Sequence, residues 1–372
     1  MTLQDNVDIR YMRQALRMAR KGLGRTSPNP VVGAIIIRGE KFLSRGYYHR
    51  AGGPHAEIEV LNKLQGKASG ATMYVTLEPC NHAGRTPPCT EAILGSGIKR
   101  VVIGMKDPNP GVKGGGAAFL AEHRIEVKLG VLESECRELN EGFVKYVSTG
   151  RPFVMVKSAQ TLDGWTATSG GDSKWITNDR SREYVHQLRD QVDAIMVGVG
   201  TILADDPQLT CRLKRGKGKD PLRIVVDTHL RTPVNARILT QDSPAGTVLV
   251  VGSRVKKSTI RDFEKGKNEV VLCPSKHGRI DLEFLLDILG KRMITRLLVE
   301  GGAGIVGSLL RRKLIDKFYI FKAPVLLGGG DGKPMAEGPG SRMMKESVPL
   351  RNIRVRRFGD DILVVGYPDY DA

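Results

Sequence analysis

The sequence predicts an α/β fold divided between two domains. The chain has 372 residues and a mass of 40.7 kDa, which is more than one hydrophobic core usually organises. Along the chain, the apolar residues switch repeatedly between the spacing of a helix and the short runs of a buried strand. Alternation of strands and helices is typical of a sheet that is covered by helices on both faces.

The first predicted helix carries Ile9, Met12, Leu16 and Ala19 on one face and ends towards Gly22. The same periodicities then predict strands over 31–37, 42–48, 73–77, 101–104 and 125–127, and helices over 55–64, 89–94 and 133–147. The turn-rich segment Ser148-Thr149-Gly150-Arg151-Pro152 predicts the domain boundary, which gives domains 1–148 and 152–372. In the second domain we predict strands over 153–157, 194–198, 223–227, 247–251 and 297–300, and helices over 178–191, 280–290 and 303–312.

The composition excludes several classes of protein. Hydrophobic residues at 40% and charged residues at 26% argue against general disorder. We find no apolar run long enough for a membrane helix and no signal-peptide pattern in MTLQDNVDIR, so we expect a cytoplasmic protein with no membrane partner. Five cysteines in a chain of this length do not form a disulfide scaffold.

The formal net charge of +18 is spread over both halves of the chain. Such a charge fits an enzyme that handles phosphorylated small molecules, and it also fits a nucleic-acid binder. The charge alone therefore leaves both interpretations open.

A histidine and two cysteines have the spacing of a zinc site. His55-Ala56-Glu57 is followed by Pro79-Cys80 and then by Cys89. Imidazole and thiolate are zinc ligands, and a catalytic site with three protein ligands keeps a fourth position for water. Glu57 would take a proton from that water and pass it to a departing amine, as in the H-x-E…P-C signature of zinc deaminases. The polar insert Asn81–Thr86 between the cysteines is a candidate for binding a polar part of the substrate.

Two other interpretations of this pattern remain open. The same zinc chemistry and the positive charge would serve a nucleic-acid base deaminase with a basic accessory domain. The eight residues between Cys80 and Cys89 and an aromatic content of 5% argue against it. Alternatively, His82 would complete a closed, purely structural zinc site.

Three segments of the first domain resemble the bifunctional deaminase/reductase family of riboflavin biosynthesis (RibD). They are Asn29-Pro30-Val31-Val32-Gly33-Ala34, His55-Ala56-Glu57 and Thr76-Leu77-Glu78-Pro79-Cys80-Asn81-His82, the last continuing to Thr86-Pro87-Pro88-Cys89. The resemblance implies a cytidine-deaminase-like three-layer α/β/α domain that deaminates a diaminopyrimidinone carrying a ribosylamino phosphate. It further implies that Asn29, His49 and His82 bind this substrate.

The second domain carries turn motifs in the order of the same family. They begin at Lys157-Ser158-Ala159, Trp175-Ile176-Thr177, Gly200-Thr201 and Val299-Glu300-Gly301-Gly302. The glycine turn after the last strand suits a phosphate, although its spacing is not that of a Rossmann motif.

For this domain the resemblance implies a dihydrofolate-reductase-like α/β fold and NADPH. The residues that it assigns to NADPH are Ala159, Trp175, Thr201, Asp205, Gly301, Gly302, Ala303, Gly304, Ile305, Val306 and Gly307. Those that it assigns to the substrate are Ser173, Leu209, Arg212 and Glu300. Spacing alone identifies no proton donor for the reduction, and Asp205 is one candidate. Because enzymes of this size commonly form two-fold dimers, we also expect a homodimer or a higher homo-oligomer.

Overall fold

The computed structural model describes residues 2–82, 87–109 and 115–372, and the chain divides into two compact units, Met1–Gly150 and Arg151–Ala372. Each unit is built around its own β-sheet. No helix in the described ranges is both long and apolar enough to cross a bilayer.

The N-terminal unit alternates helices and strands. Its helices are α1 Leu3–Ala19, α2 Ala56–Asn62, α3 Cys89–Gly95, α4 Gly116–Glu122, α5 Glu133–Leu139 and α6 Glu141–Thr149, and its strands are β1 Gly33–Arg38, β2 Lys41–Tyr47, β3 Thr72–Leu77, β4 Arg100–Met105 and β5 Glu126–Lys128. The sheet order is β2-β1-β3-β4-β5. β1 runs antiparallel to both of its neighbours, whereas β3, β4 and β5 are parallel to one another.

Helix α1 packs closely against the sheet. It begins with a capping box between Thr2 and Asp5 and buries an apolar face that includes Met12 and Leu16. A Cβ atom at Gly33 of β1 would collide with the carbonyl oxygen of Ala15. Glycine at this position therefore allows the close approach between helix and strand.

The helix predicted over 133–147 is interrupted at Asn140. This residue has φ −104° and ψ 17° and separates α5 from α6. Its side chain accepts a hydrogen bond from the Val31 amide at 2.9 Å and donates one to the Val31 carbonyl at 3.1 Å. The long-range pairing of this buried side chain accompanies a break that apolar periodicity does not reveal.

The C-terminal unit is organised around a nine-stranded sheet. Its helices are α7 Asp179–Asp190, α8 Val199–Asp205, α9 Arg237–Thr240, α10 Lys257–Ile260, α11 Leu282–Lys291 and α12 Ala303–Arg311. Its strands are β6 Phe153–Gln160, β7 Ala194–Gly198, β8 Leu222–Val226, β9 Thr247–Gly252, β10 Asn268–Cys273, β11 Ser275–Lys276, β12 Arg279–Ile280, β13 Arg296–Glu300, β14 Lys317–Lys322, β15 Leu350–Phe358 and β16 Asp361–Pro368. The order in the large sheet is β10-β9-β8-β7-β13-β6-β14-β16-β15, and β11 pairs with β12 separately.

The large sheet is buried on both faces in its parallel part. Val154 and Val156 pack with residues of α11 and α12, whereas Phe153 and Met155 pack with residues of α7. This is the alternation expected for one strand between two layers of helices. Seven neighbouring strands of this sheet are parallel to one another, in the order β10-β9-β8-β7-β13-β6-β14. Their carboxyl ends therefore meet at one edge of the sheet. Ligands of open α/β sheets bind at such an edge.

Candidate active sites

The N-terminal unit brings His55, Cys80 and Cys89 together. His55 immediately precedes α2, Cys80 lies in the loop after β3, and Cys89 begins α3. His55 Nδ1 is 3.2 Å from Cys89 Sγ and 3.5 Å from Cys80 Sγ. The three ligand atoms all lie within 4.8 Å of one another. Across residues 2–82, 87–109 and 115–372, no other group of at least three His, Cys, Asp or Glu side chains meets this criterion.

The charges of this cluster favour a thiolate at Cys80. Hydrogen bonds from the Cys89 thiol and from His55 lower the pKa of Cys80 to about 4. The same contact with Cys80 raises the pKa of Cys89, and hydrogen bonding to Cys80 also raises that of His55. A thiolate beside an imidazole and a second sulfur is the donor set that zinc prefers.

Glu57 contributes a buried carboxyl group to the same place. It lies in the first turn of α2, and burial raises its pKa to about 7. Its Oε2 atom is buried and has no hydrogen-bond partner. An unpartnered buried carboxylate oxygen is costly unless a ligand satisfies it. Together with the three donor side chains, this oxygen fits a zinc site that also binds water.

The three residues that the resemblance assigned to the pyrimidine substrate have different surroundings. Asn29 is exposed and its side-chain amide donates to Tyr48 Oη at 2.8 Å. The His49 ring stacks on Tyr47 with a centroid distance of 4.0 Å, and its Nε2 is 3.6 Å from Glu59 Oε1.

The third of these residues, His82, is exposed and follows Cys80 by two positions in the sequence. In the insert after Cys80, residues 83–86 lie outside the described residues. The proposed roles of the insert and of Asn29, His49 and His82 therefore stay predictions.

Sequence reasoning missed two side chains near the metal cluster. Tyr48 is buried, and its ring meets the His55 imidazole edge-on at 5.4 Å between centroids. Glu78 accepts hydrogen bonds from the backbone amides of Asp107 at 3.1 Å and Ala117 at 3.0 Å. The Glu78 contacts join residues that are 29 and 39 positions apart, so no local motif indicates them.

In the C-terminal unit, two turns meet at the carboxyl ends of β7 and β13. Gly301 and Gly302 follow β13 with φ values of +83° and +82°. A Cβ at Gly302 would lie 3.2 Å from the Gly198 amide nitrogen, and one at Gly301 would lie 3.2 Å from Thr201 Oγ1. Positive φ and close backbone approach both explain glycine here. The turn leads into α12, whose first amides suit a phosphate.

Two later residues of the 301–307 segment, Val306 and Gly307, pack against other parts of the unit. A Cβ at Gly307 would collide with the carbonyl oxygen of Glu337, and the Glu337 amide donates to the Ala303 carbonyl at 3.0 Å. Val306 is buried in the hydrophobic core. The structure thus gives Gly307 and Val306 a packing role, and their assignment to NADPH rests on the resemblance.

The other residues assigned to NADPH come from separate elements. Ala159 lies near the carboxyl end of β6, Thr201 lies in α8, and Asp205 ends α8. The Trp175 side chain is 73% exposed, and the Arg182 guanidinium lies 4.4 Å from its ring centroid. Burial raises the pKa of Asp205. Glycine turns, a helix start and an exposed aromatic ring at one end of a parallel sheet fit a dinucleotide.

Among the residues assigned to the second substrate, Glu300 is buried and forms an ion pair. Its carboxylate pairs with Arg189 and has Lys157 Nζ at 3.8 Å. Arg212 donates to Gln208 Oε1 at 3.1 Å and to Thr210 Oγ1 at 2.7 Å.

Two further residues were assigned to the same substrate. Leu209 is buried with φ +53°, and Ser173 is half-buried. Sequence reasoning missed Lys157 and Arg189 as partners of Glu300, because single cations carry little signal in a chain of charge +18.

Comparison with known proteins identifies the family. Residues 152–364 match the RibD C-terminal domain, and residues 5–105 match the cytidine and deoxycytidylate deaminase zinc-binding region. The riboflavin biosynthesis protein RibD of Aquifex aeolicus is 42% identical over 96% of this chain and 98% of its own length. The chain belongs to the RibD family. RibD of Escherichia coli is 39% identical, covering 95% of this chain and 97% of that protein.

Solved RibD structures agree with the fold. RibD of Acinetobacter baumannii superposes with a TM-score of 0.86 at 34% identity, over 98% of this chain and 99% of that one. The Thermotoga maritima deaminase/reductase gives a TM-score of 0.84 at 36% identity, over 98% and 100%.

The predicted fold class, a cytidine-deaminase-like domain followed by a reductase domain, is confirmed. The chain is a bifunctional enzyme of riboflavin biosynthesis that acts on small molecules, with zinc in its deaminase domain and NADPH for its RibD-type reductase domain.

Proposed function

We propose that the two domains catalyse consecutive reactions. Residues 1–148 hydrolyse an amino group of 2,5-diamino-6-(ribosylamino)-4(3H)-pyrimidinone 5′-phosphate, and residues 152–372 reduce the ribosyl side chain of the product to a ribityl chain. The T. maritima neighbour is named as a deaminase and reductase of phosphoribosylaminopyrimidine compounds. The observation that carries the deaminase half is the buried carboxyl of Glu57, whose Oε2 atom has no hydrogen-bond partner, in the same unit as three zinc-type ligands.

In the first reaction, His55, Cys80 and Cys89 hold zinc, which supplies a Lewis acid that makes water a better nucleophile near neutral pH. Glu57 accepts a proton from the water and passes it to the departing amino group, which leaves as ammonia. Asn29, His49 and His82 bind the pyrimidine or its sugar phosphate. Burial of Glu57 supports this shuttle, because a carboxyl group with a pKa of about 7 exchanges protons readily at neutral pH.

In the second reaction, bound NADPH would be the source of the hydride that reduces C1 of the sugar, while the bond between C1 and the ring oxygen opens and that oxygen takes up a proton. Ala159, Trp175, Thr201, Asp205 and the segment 301–307 bind the cofactor. Ser173, Leu209, Arg212 and Glu300 hold the substrate. The Arg212 guanidinium suits the substrate phosphate because of its fork geometry.

The experiment is to incubate the zinc-loaded protein with the diaminopyrimidinone phosphate and to measure ammonia release and NADPH absorbance. We expect ammonia release first, followed by NADPH oxidation on the deaminated product. Absence of ammonia release would contradict the deaminase half, and absence of NADPH oxidation on the deaminated pyrimidine would contradict the reductase half.

We further propose a cytoplasmic homodimer or higher homo-oligomer that binds no nucleic acid. The strand β15 supports self-association, because it ends the large sheet and exposes Ile353 and Val355. Light scattering should give at least twice the chain mass. Tight, salt-dependent binding of tRNA would contradict the assignment to small molecules alone.

A further inference from the structure

The segment 208–212 of the C-terminal unit, which carries two of the residues assigned to the second substrate, is held against helix α7. The backbone amide of Arg212 donates a hydrogen bond to His186 Nδ1 at 3.2 Å. The Cys211 thiol donates to the His186 carbonyl at 3.3 Å. One residue of α7 thus holds two consecutive residues of the segment, one through its side chain and one through its backbone.

Arg189 lies three residues after His186 on the same helix and makes a third contact with the segment. Its Nη1 donates to the Thr210 carbonyl at 3.0 Å, while its Nε and Nη2 bind the carboxylate of Glu300. Helix α7 therefore holds residues 210–212 and Glu300 at the same time. The position of the segment relative to Glu300 depends on these contacts.

The contact with the Arg212 amide defines the chemical state of His186. A backbone amide can only donate a hydrogen bond, so Nδ1 is the unprotonated nitrogen of a neutral imidazole. Burial and the positive charges of Arg189 and Arg212 lower the pKa of His186 to about 4, which agrees with a neutral ring. A protonated ring would carry hydrogen on both nitrogens and would lose this bond. At neutral pH, His186 is therefore an acceptor for the segment.

The side chain of Arg212 is held by hydrogen bonds within its own segment. Nη1 donates to Gln208 Oε1 at 3.1 Å and to Thr210 Oγ1 at 2.7 Å, and the side chain is exposed. Among the described residues, no group accepts a hydrogen bond from Nε or Nη2 of Arg212. These two N–H groups lie side by side, and such a pair binds two oxygens of a phosphate.

We propose that His186 is a positioning residue of the reductase, which holds the backbone of Arg212 so that Nε and Nη2 bind the phosphate group of the substrate. This proposal rests on the proposed function of the domain. It gives His186 a part in substrate binding and none in hydride transfer. Loss of binding that is equal in the ground state and the transition state raises KM and leaves kcat unchanged.

The test compares variants that lack or keep an acceptor at this position. His186→Leu leaves the Arg212 amide without an acceptor. His186→Asn keeps one, because Oδ1 of asparagine and Nδ1 of histidine are both two bonds from Cβ. Gln187→Leu is the control, since Gln187 is the exposed neighbour on the same helix.

We expect His186→Leu to raise KM for the deaminated pyrimidine phosphate about tenfold. Its kcat, its KM for NADPH and its ammonia release should stay close to wild type. His186→Asn should recover most of the lost affinity, and Gln187→Leu should behave like wild type. His186→Phe, which keeps an aromatic ring, is a second variant without an acceptor and should behave like His186→Leu.

A double-mutant cycle separates positioning from a general structural role. Arg212→Ala removes the guanidinium that His186 positions, so adding His186→Leu to it should raise KM no further. Additive effects in the double variant, a fall in kcat at unchanged KM, failure of His186→Asn to recover affinity, or a wild-type KM in His186→Leu or His186→Phe would overturn the proposal. If the wild-type protein oxidises no NADPH on the deaminated pyrimidine, the proposed reductase function itself is wrong.

Discussion

Arg189 and Glu300 form a two-point ion pair inside the C-terminal unit. Arg189 Nε lies 2.7 Å from Glu300 Oε1, and Nη2 lies 2.9 Å from Oε2. The two side chains are 12% and 8% exposed. Burial opposes the charge on Glu300, but Arg189 and the nearby Lys157 outweigh it and lower the pKa of Glu300 to about 2. At neutral pH, Glu300 is therefore a hydrogen-bond acceptor.

Replacement of Glu300 by Gln should destabilise the C-terminal unit. The change leaves two positive groups buried without their counter-charge, and breaking a buried pair in this way costs about 3–5 kcal/mol. Trp165 and Trp175 are the two tryptophans of the chain, so tryptophan fluorescence during urea unfolding reports on this unit. We also expect Glu300→Gln to abolish reduction and to preserve ammonia release.

The control is Glu269→Gln. Glu269 also forms a two-point ion pair, with Arg292 Nη2 at 2.6 Å and Nη1 at 2.8 Å, but its side chain is 49% exposed. Exposed pairs contribute about 0–1 kcal/mol. Equal destabilisation by the two substitutions would contradict the role given to burial.

The stabilisation by Glu300 should depend on pH. Its pKa is lowered from 4.5 in the unfolded chain to about 2 in the fold, so the stabilisation is present above pH 4.5 and is lost as the pH falls towards 2. Urea unfolding at a series of pH values should therefore show that the difference in the free energy of unfolding between wild type and Glu300→Gln becomes smaller below pH 4.5. If this difference stays constant down to pH 2.5, the charge of the carboxylate is not the source of the stabilisation.

Replacement of Glu57 by Gln should separate the two activities. The amide cannot accept and return a proton, so we expect deamination to fall by about 10²–10⁴. Zinc content and NADPH oxidation on the deaminated pyrimidine should be retained. Glu122→Gln is the control, because Glu122 is an exposed carboxylate at the end of α4 in the same unit. Deamination at the wild-type rate in Glu57→Gln would show that another group moves the proton.

Removal of zinc should abolish deamination and leave the reductase activity unchanged. A strong chelator should abolish ammonia release, because His55, Cys80 and Cys89 would lose the ion that they hold, and added zinc should restore it. Reduction of the deaminated pyrimidine should continue in the chelated protein. Ammonia release from protein shown to be free of zinc would contradict the metal-dependent mechanism.

The features that the sequence predicts best are those that depend on a few residues within short segments. His55, Glu57, Cys80 and Cys89 carry strong signals because few side chains bind zinc, and their spacing narrows the choice further. Most strands of the parallel sheets are equally recognisable as short apolar runs, but β10 and β14 were not predicted. Pro79 and the glycines at 301–302 mark turns whose positions local rules also indicate.

Contacts between segments that are distant in the sequence cannot be predicted from local motifs or apolar runs. Lys157, Arg189 and Glu300 come from three elements, and their ion pairs exist only after the sheet has formed. Tyr48 differs from Tyr47 in its environment rather than in its local sequence. Strand β15 was not predicted, because it exposes most of its residues and carries four arginines, which hides the alternation of a strand. Its partner β16 was not predicted either.

Replacement of Asp8 by Asn should destabilise the N-terminal unit. The buried Asp8 carboxylate accepts hydrogen bonds from Arg100 at 2.8 and 3.0 Å, Lys128 at 2.8 Å and Tyr74 at 3.0 Å. Loss of its charge leaves Glu126 as the remaining counter-charge of Arg100 and Asp5 as that of Lys128, and the loss of a buried charged acceptor costs about 1–3 kcal/mol. Asp5→Asn is the control, because Asp5 also contacts Lys128 but is partly exposed. Zinc release to a chromophoric chelator during urea titration should begin at a lower urea concentration in Asp8→Asn than in Asp5→Asn. If both variants release zinc at the wild-type concentration, the buried network does not stabilise this unit.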